Sequence, residues 1–436
     1  MVELLPPTSI QPRPNWKTSW LWPVVIVALQ CFAAALRIPH YPLKHEGKFR
    51  SRRGIGDTEE ASYGMVQQSR PSPQSSGPAG GYAGKRARSG PGNGSKAAAI
   101  PPPAKQRGLS SSGARDRRSY AAIDLGTNNC RLLIAKPSAD GFIVVDAFSR
   151  IVRLGEGLAS SGRISDAAID RAIAALSVCA DKLRRRHVTL ARSVATEACR
   201  RASNGAEFIQ RVYRETGIAL DIISAQEEAR LAVLGCHALL EPGDGPALIF
   251  DIGGGSTELV LVDAHGDGAP RIVDWVSAPW GVVSLTESEA FDHDDPAERL
   301  AAYGRMRARV SEAFLPLARR LPRDAQGIRL LGTSRTVTTL ASLHLNLPRY
   351  DRQAIDGLIV PCESMRAISD RLSGMALAER QKLPCIGTER ADLVVAGCAI
   401  LESILDIWPA QRLGVADRGI REGILRGLMD RDGGVM

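Results

Sequence analysis

Aromatic side chains make up only 5% of this 436-residue chain, seven histidines are scattered without a cluster, and no two of the eight cysteines form a Cys-x-x-Cys pair. Five of the histidines follow residue 118, and their dispersal argues against a transition-metal centre. Cys130, Cys179, Cys199, Cys236, Cys362, Cys385 and Cys398 leave an odd number in the same stretch. That pattern favours reduced, packed thiols in a reducing compartment over a disulfide framework or a zinc site. Positive charge is also missing where a nucleic-acid groove would need it. Residues 1–118 hold 18 Lys+Arg against 6 Asp+Glu, whereas residues 119–436 hold 38 against 41. The basic balance thus belongs to the N-terminal stretch, and neither a nucleic-acid partner nor a long basic channel is expected of the remainder.

Within residues 1–118 large apolar residues are rare and Gly, Pro, Ser, Lys and Arg abound, a composition that cannot bury enough surface to offset its ordering entropy. This stretch is expected to be a disordered basic tail. One exception is the 17-residue apolar run Trp20 to Leu36, flanked by Lys17 and Arg37 and interrupted by Pro23 and Gln30. It reads equally as an anchor, a signal, or sequence upstream of a later start such as Met65, leaving residues 1–64 open.

From Tyr120 the pattern becomes that of a folded α/β protein. "YAAIDLGTNNCRLLIAKP" reads as strand, turn, strand, and "GFIVVDAFSRIVRL" as a third strand. Ser165 is a candidate N-cap for a helix with apolar residues at Ile169, Ile173, Leu176, Ala180 and Leu183 and a basic end. A strand at "VTLARSVAT", one helix from Glu197 to Gly217, a strand at "IALDIIS" and a helix at "AQEEARLAVLGCHALL" complete a unit. The order then starts again: "ALIFDIGGGSTELVLVD" repeats strand, glycine turn, strand, "RIVDWVSAPWGVVSLTE" reads as another third strand, and "IRLLGTSRTVTTLASLH" as strand, small-residue turn, helix. The chain is therefore divided at 119–241 and 242–436.

Each unit opens with an aspartate at a strand end ahead of a glycine turn. Asp124 precedes Gly126, Thr127 and Asn128, and Asp251 precedes Gly253, Gly254, Gly255 and Ser256. Glycine is costly to order, so three in succession call for close approach of the backbone to something. Two such turns facing each other can offer backbone N–H groups to phosphate oxygens while the aspartates hold a hydrated divalent cation. Gly332, Thr333 and Ser334 form a third small-residue turn of the same kind. Glu227 and Glu228, at a helix start, suit the helix dipole by position alone, and His293 with Asp294 reads as a surface pair in an acidic loop.

"IDLGTNNCRLLIA", "ATEACRRASN", "ISAQEEARLAVLG", "IFDIGGGSTELVLV" and "VADRGIREGIL" resemble the successive motifs of the exopolyphosphatase/guanosine pentaphosphate phosphatase (Ppx/GppA) family, from about Tyr120 to about residue 430. The resemblance implies two ribonuclease-H-like domains of the actin, hexokinase and Hsp70 type flanking a phosphate cleft. It implies Glu228 as the base that activates water, and Arg200 as a cleft arginine. Asp124, Asp251 and Glu258 become the acids associated with Mg²⁺, and the glycine turns the phosphate loops. Phosphoryl transfer to water asks for this equipment, since it depends chiefly on positioning and charge neutralisation. The pattern departs at Arg335, where a long cation stands in place of a small residue, and the chain resembles the short members without extra C-terminal helical domains. The expectation is a cytoplasmic Mg²⁺-dependent phosphohydrolase acting on polyphosphate, guanosine pentaphosphate or both, its folded part free of the membrane, with a homodimer left open. A small-molecule kinase or a non-catalytic nucleotide-binding protein of the same superfamily is the alternative.

Overall fold

The computed structural model describes residues 118–139, 141–243, 245–264, 270–289, 291–320 and 327–433. The expected tail, its apolar run and the Met65 question lie outside them. Among the described residues no helix is long and apolar enough to cross a membrane.

The first half builds a five-stranded sheet from β1 (Tyr120–Leu125), β2 (Asn129–Ser138), β3 (Gly141–Ile151), β4 (Leu190–Ala195) and β5 (Leu220–Ile222), in the order β3-β2-β1-β4-β5. The second half builds a sheet from β6 (Pro246–Ile252), β7 (Thr257–Asp263), β8 (Arg271–Ala278), β9 (Arg329–Thr333), β10 (Ile359–Pro361) and β11 (Arg412–Ala416), in the order β10-β11-β9-β6-β7-β8. Apart from β10 the two run alike: an antiparallel three-stranded meander, then two parallel strands beside the first. The architectural repeat read from the sequence is thus a repeat of topology.

Helices of the first half are α1 (Leu158–Ser161), α2 (Asp166–Arg185), α3 (Glu197–Arg201), α4 (Gly205–Thr216) and α5 (Ala225–Cys236). Those of the second are α6 (Val282–Glu287), α7 (Pro296–Ala318), α8 (Arg335–His344), α9 (Arg352–Ile355), α10 (Cys362–Gly374), α11 (Leu377–Arg380), α12 (Val394–Ile407) and α13 (Ile420–Gly433). Ser165 caps α2 as expected, accepting from the Ala168 N–H, and Gly217 ends α4 at φ 74°. Two expectations need correction. The single helix from Glu197 to Gly217 is broken at residues 202–204, where the Asn204 side chain bonds both backbone groups of Ile164 and Gly205 lies against the Cys199 carbonyl. The long third strand of the second unit ends at Ala278, after which α6 begins under a Gly281 whose N–H bonds the Ser284 hydroxyl.

Alternation along the strands feeds different cores. Ala121, Ile123, Cys130 and Leu132 pack with α2 and α4, whereas Tyr120, Ala122, Leu133 and Val194 pack with Leu231 and Ala232 of α5 and with Ile420, Ile424 and Leu425 of α13. The other side of α5, Ala229, Val233 and Cys236, packs on Ala247, Ile249, Val260 and Val262 of the second sheet. Helix α5 therefore lies between the sheets, and α13, last in the chain, lies on the first. Arg118 is tied to that last helix through a 2.6 Å ion pair with Asp432. The seven cysteines after residue 118 are free thiols, six of them buried.

Candidate active site

The hairpin register brings the two halves' key residues into equivalent places. Asp124 faces Arg131 across β1 and β2; Asp251 faces Glu258 across β6 and β7, at the same seven-residue separation. One duplicated framework thus carries an acid–base pair on one lobe and an acid–acid pair on the other.

The glycine turns touch. A Cβ on Gly254 would stand 2.9 Å from Thr127 Cβ, one on Gly255 2.7 Å from Thr127 Oγ1, and one on Gly281 2.4 Å from the carbonyl carbon of Gly254. None of Gly126, Gly253, Gly254 or Gly255 has a positive φ. The three glycines are therefore demanded by backbone approaching its neighbours, not by dihedral angle. Elsewhere the lobes meet where the Gly157 N–H donates to Glu287 (3.0 Å) and Arg153 donates to the Glu389 carbonyl (3.1 Å). Asn128 is buried at this junction; its carbonyl accepts from Val152 and Arg153, and its side-chain Oδ1 has no partner among the described residues.

Next to these turns the two glutamates of α5 separate. Ser224 caps the helix, so Glu227 points outward to Arg192 and Arg230, which hold its carboxyl down to about 2. Glu228 points inward, 7% exposed, and accepts from Arg200 Nη1 at 2.6 Å. Arg200 is gripped by Glu197 (2.7 Å) and the Ile223 carbonyl (3.0 Å), so it fixes the Glu228 carboxylate in place. Glu258 is held by the hydroxyls of Ser256 (2.7 Å) and Ser277 (2.9 Å).

The acids act on one another. Burial, then the charge of Glu258, pushes the Glu228 carboxyl up against the pull of Arg200. Burial and Glu228 raise Asp251 to about 7; burial and Asp251 raise Glu258 to about 7; burial also raises Asp124. Such a concentration of hard oxygen donors, each charged form disfavoured, suits a small divalent cation. Among the described residues no three His, Cys, Asp or Glu side chains form a ready-made cage.

Asp124 and Asp251 also line a cleft of about 210 Å³, together with Arg131, Arg335, Arg352, Arg418 and Arg421, the acids Asp417 and Glu422, and Tyr350. Thr333 and Ser334 line it too, although the Thr333 hydroxyl is bonded to the Arg418 carbonyl and the Ser334 hydroxyl caps α8. Gly332 is glycine for another reason: a Cβ there would stand 2.6 Å from the Phe250 ring. Arg335 stands on the cleft wall with its guanidinium over Tyr350, 5.6 Å from the ring centre. Arg131 was not singled out from the sequence, yet it lines the cleft and its Nε is buried without a partner among the described residues. Its seven-residue distance from Asp124, matching Glu258 from Asp251, was the available signal. Arg418 and Arg421 lie in the quoted "VADRGIREGIL" motif but were not singled out, and Arg352, on α9, had no signal in the sequence.

Residues 133–432 match the sequence model of the Ppx/GppA phosphatase family. The exopolyphosphatase 2 of Mycobacterium tuberculosis is 33% identical over 317 residues, covering 70% of this chain and 96% of that protein. A solved Ppx/GppA family member from Aquifex aeolicus is 29% identical with a TM-score of 0.60, covering 73% of this chain and 99% of that one. An exopolyphosphatase from Cytophaga hutchinsonii, 24% identical and covering 72% of this chain and 98% of its own, shares the fold with a TM-score of 0.64.

Proposed function

The chain belongs to the Ppx/GppA phosphatase family, and we propose that it removes the terminal phosphate from inorganic polyphosphate by attack of water. The observation carrying this reading is the cleft of about 210 Å³ that gathers five arginines with Asp124, Asp251, Asp417 and Glu422, Arg352 being paired with Asp417 and Glu422 and Arg418 with Asp356. Guanidiniums bind successive phosphate oxygens without demanding a base or a sugar between them. The buried Arg131 Nε supplies one donor that a phosphate oxygen would satisfy. Glu228, held by Arg200, takes a proton from the attacking water as the new P–O bond forms and the bond to the penultimate phosphate breaks. Mg²⁺ on Asp124, Asp251 and Glu258 would neutralise charge on the transferred phosphoryl group.

Guanosine pentaphosphate is the second reading, favoured by one feature: the Arg335–Tyr350 pair places a flat cation and an aromatic ring on the cleft wall. Orthophosphate release with water as sole acceptor separates hydrolysis from the kinase and from the non-catalytic alternative. Comparing kcat/KM for a short polyphosphate and guanosine pentaphosphate orders the substrates. A preference above roughly tenfold for the nucleotide, about 1.4 kcal/mol, would make guanosine pentaphosphate the first substrate and polyphosphate the second.

A further inference from the structure

Away from the cleft, two arginines of the second lobe are buried side by side, and neither makes an ion pair with a carboxylate among the described residues. Arg299, in the first turn of α7, is 7% exposed; Arg380, the last residue of α11, is 1% exposed. Both hold backbone carbonyls. Arg299 donates to His293 O (2.8 Å) and Gly374 O (2.9 Å), and Arg380 to Ala391 O (2.9 Å) and Met375 O (2.6 Å). Gly374 and Met375 are neighbours in the chain, so the two guanidiniums converge on one point at the end of α10. Each keeps a buried N–H with no acceptor among the described residues: Nε of Arg299 and Nη2 of Arg380.

Carbonyls at a helix C-terminus carry about half a negative charge, which cannot offset two permanent cations. An unpaired buried charge costs several kcal/mol, and a guanidinium does not escape by losing its proton. Burial and the charge of Arg299 pull the Arg380 pKa down, and the weaker opposing pulls of Cys398, Asp392 and Glu379 do not restore it. That is the signature of a cation short of a counter-ion. A bound water would accept hydrogen bonds but would leave the charge. We propose that Arg299 and Arg380 form a buried site for a small monovalent inorganic anion, chloride, that locks the end of α10 to α7 and α11. The depth of both guanidiniums favours a weakly hydrated atomic ion over phosphate.

The test is thermal unfolding of the full-length protein in sodium chloride and in sodium gluconate at equal ionic strength. Chloride well above its Kd is expected to raise Tm by on the order of 3 °C, since a ligand bound only by the folded state stabilises it by mass action. Arg299→Gln should abolish the difference between the salts. Crystals of the unaltered protein grown in sodium bromide should show an anomalous peak between Arg299 Nε and Arg380 Nη2, a measurement independent of whether the variant folds. Equal Tm in the two salts, a chloride effect that survives Arg299→Gln, or the absence of bromide at that position overturns the proposal.

Discussion

At the start of α5, adjacent glutamates have opposite surroundings, and their substitutions should part accordingly. Glu228→Gln is expected to lower turnover by roughly two to four orders of magnitude with substrate affinity retained, as loss of a general base does. Near-normal orthophosphate release by that variant would remove Glu228 from the reaction. Glu227→Gln should leave turnover near that of the parent but cost stability. Arg230, aided by Arg192 and opposed by partial burial, brings the Glu227 carboxyl from its ordinary 4.5 to about 2. A depressed folded pKa means that the stabilisation is complete above 4.5 and is lost as pH falls toward 2. Unfolding curves of parent and variant should therefore differ at neutral pH and merge near pH 2; a gap that is constant with pH would refute the charge-pair origin. On the cleft wall, Arg335→Gly should raise KM for polyphosphate more than it lowers kcat, as loss of a cation that serves binding does. A pure kcat loss would place it at the chemistry instead.

Two helices, α5 and α13, pack against each other at van der Waals distance. A Cβ on Gly235 would stand 1.9 Å from the Gly419 carbonyl oxygen, and one on Gly423 2.1 Å from that of Leu231. Both obstacles are backbone, which cannot turn aside as a side chain does. Gly235→Ala and Gly423→Ala should each destabilise by about 3 kcal/mol or more, at the severe end for overpacking. Denaturant midpoints measure this, and values close to the parent would show that the helices can move apart at little cost. The strands and helices themselves were legible because their signals are local: Ser165 before an amphipathic run, Gly217 after one, alternation along β1 and β2. The break at 202–204 was not legible, since it depends on Asn204 meeting Ile164, forty positions earlier in the chain.

For the whole molecule, the described fold begins at Arg118, which is paired with Asp432. From the composition of residues 1–117, poor in large apolar residues apart from Trp20 to Leu36, their removal should leave an enzyme of unchanged Tm and specific activity. Aggregation or loss of orthophosphate release would show that the N-terminal stretch docks on the rest. The cut is placed before Arg118 because a cut after it would discard an ion pair joining the first strand's approach to the last helix.

The sequence by itself determined the duplicated strand–turn–strand order, the two aspartates, the glycine turns and the acidic balance of residues 119–436. Each of these is written in contiguous residues or in composition. Tertiary structure alone decided which glutamate of the pair turns inward, that Arg200 holds it, and that the glycines are small because the turns press on Thr127 and on each other. It also decided the arginine wall. Arg131 lies on the first sheet, whereas Arg335, Arg352, Arg418 and Arg421 come from later in the chain, and they share a cleft only because the two halves pack together. The cause is physical: charge density in a cleft depends on distance through space, and a linear sequence fixes such distances only for near neighbours.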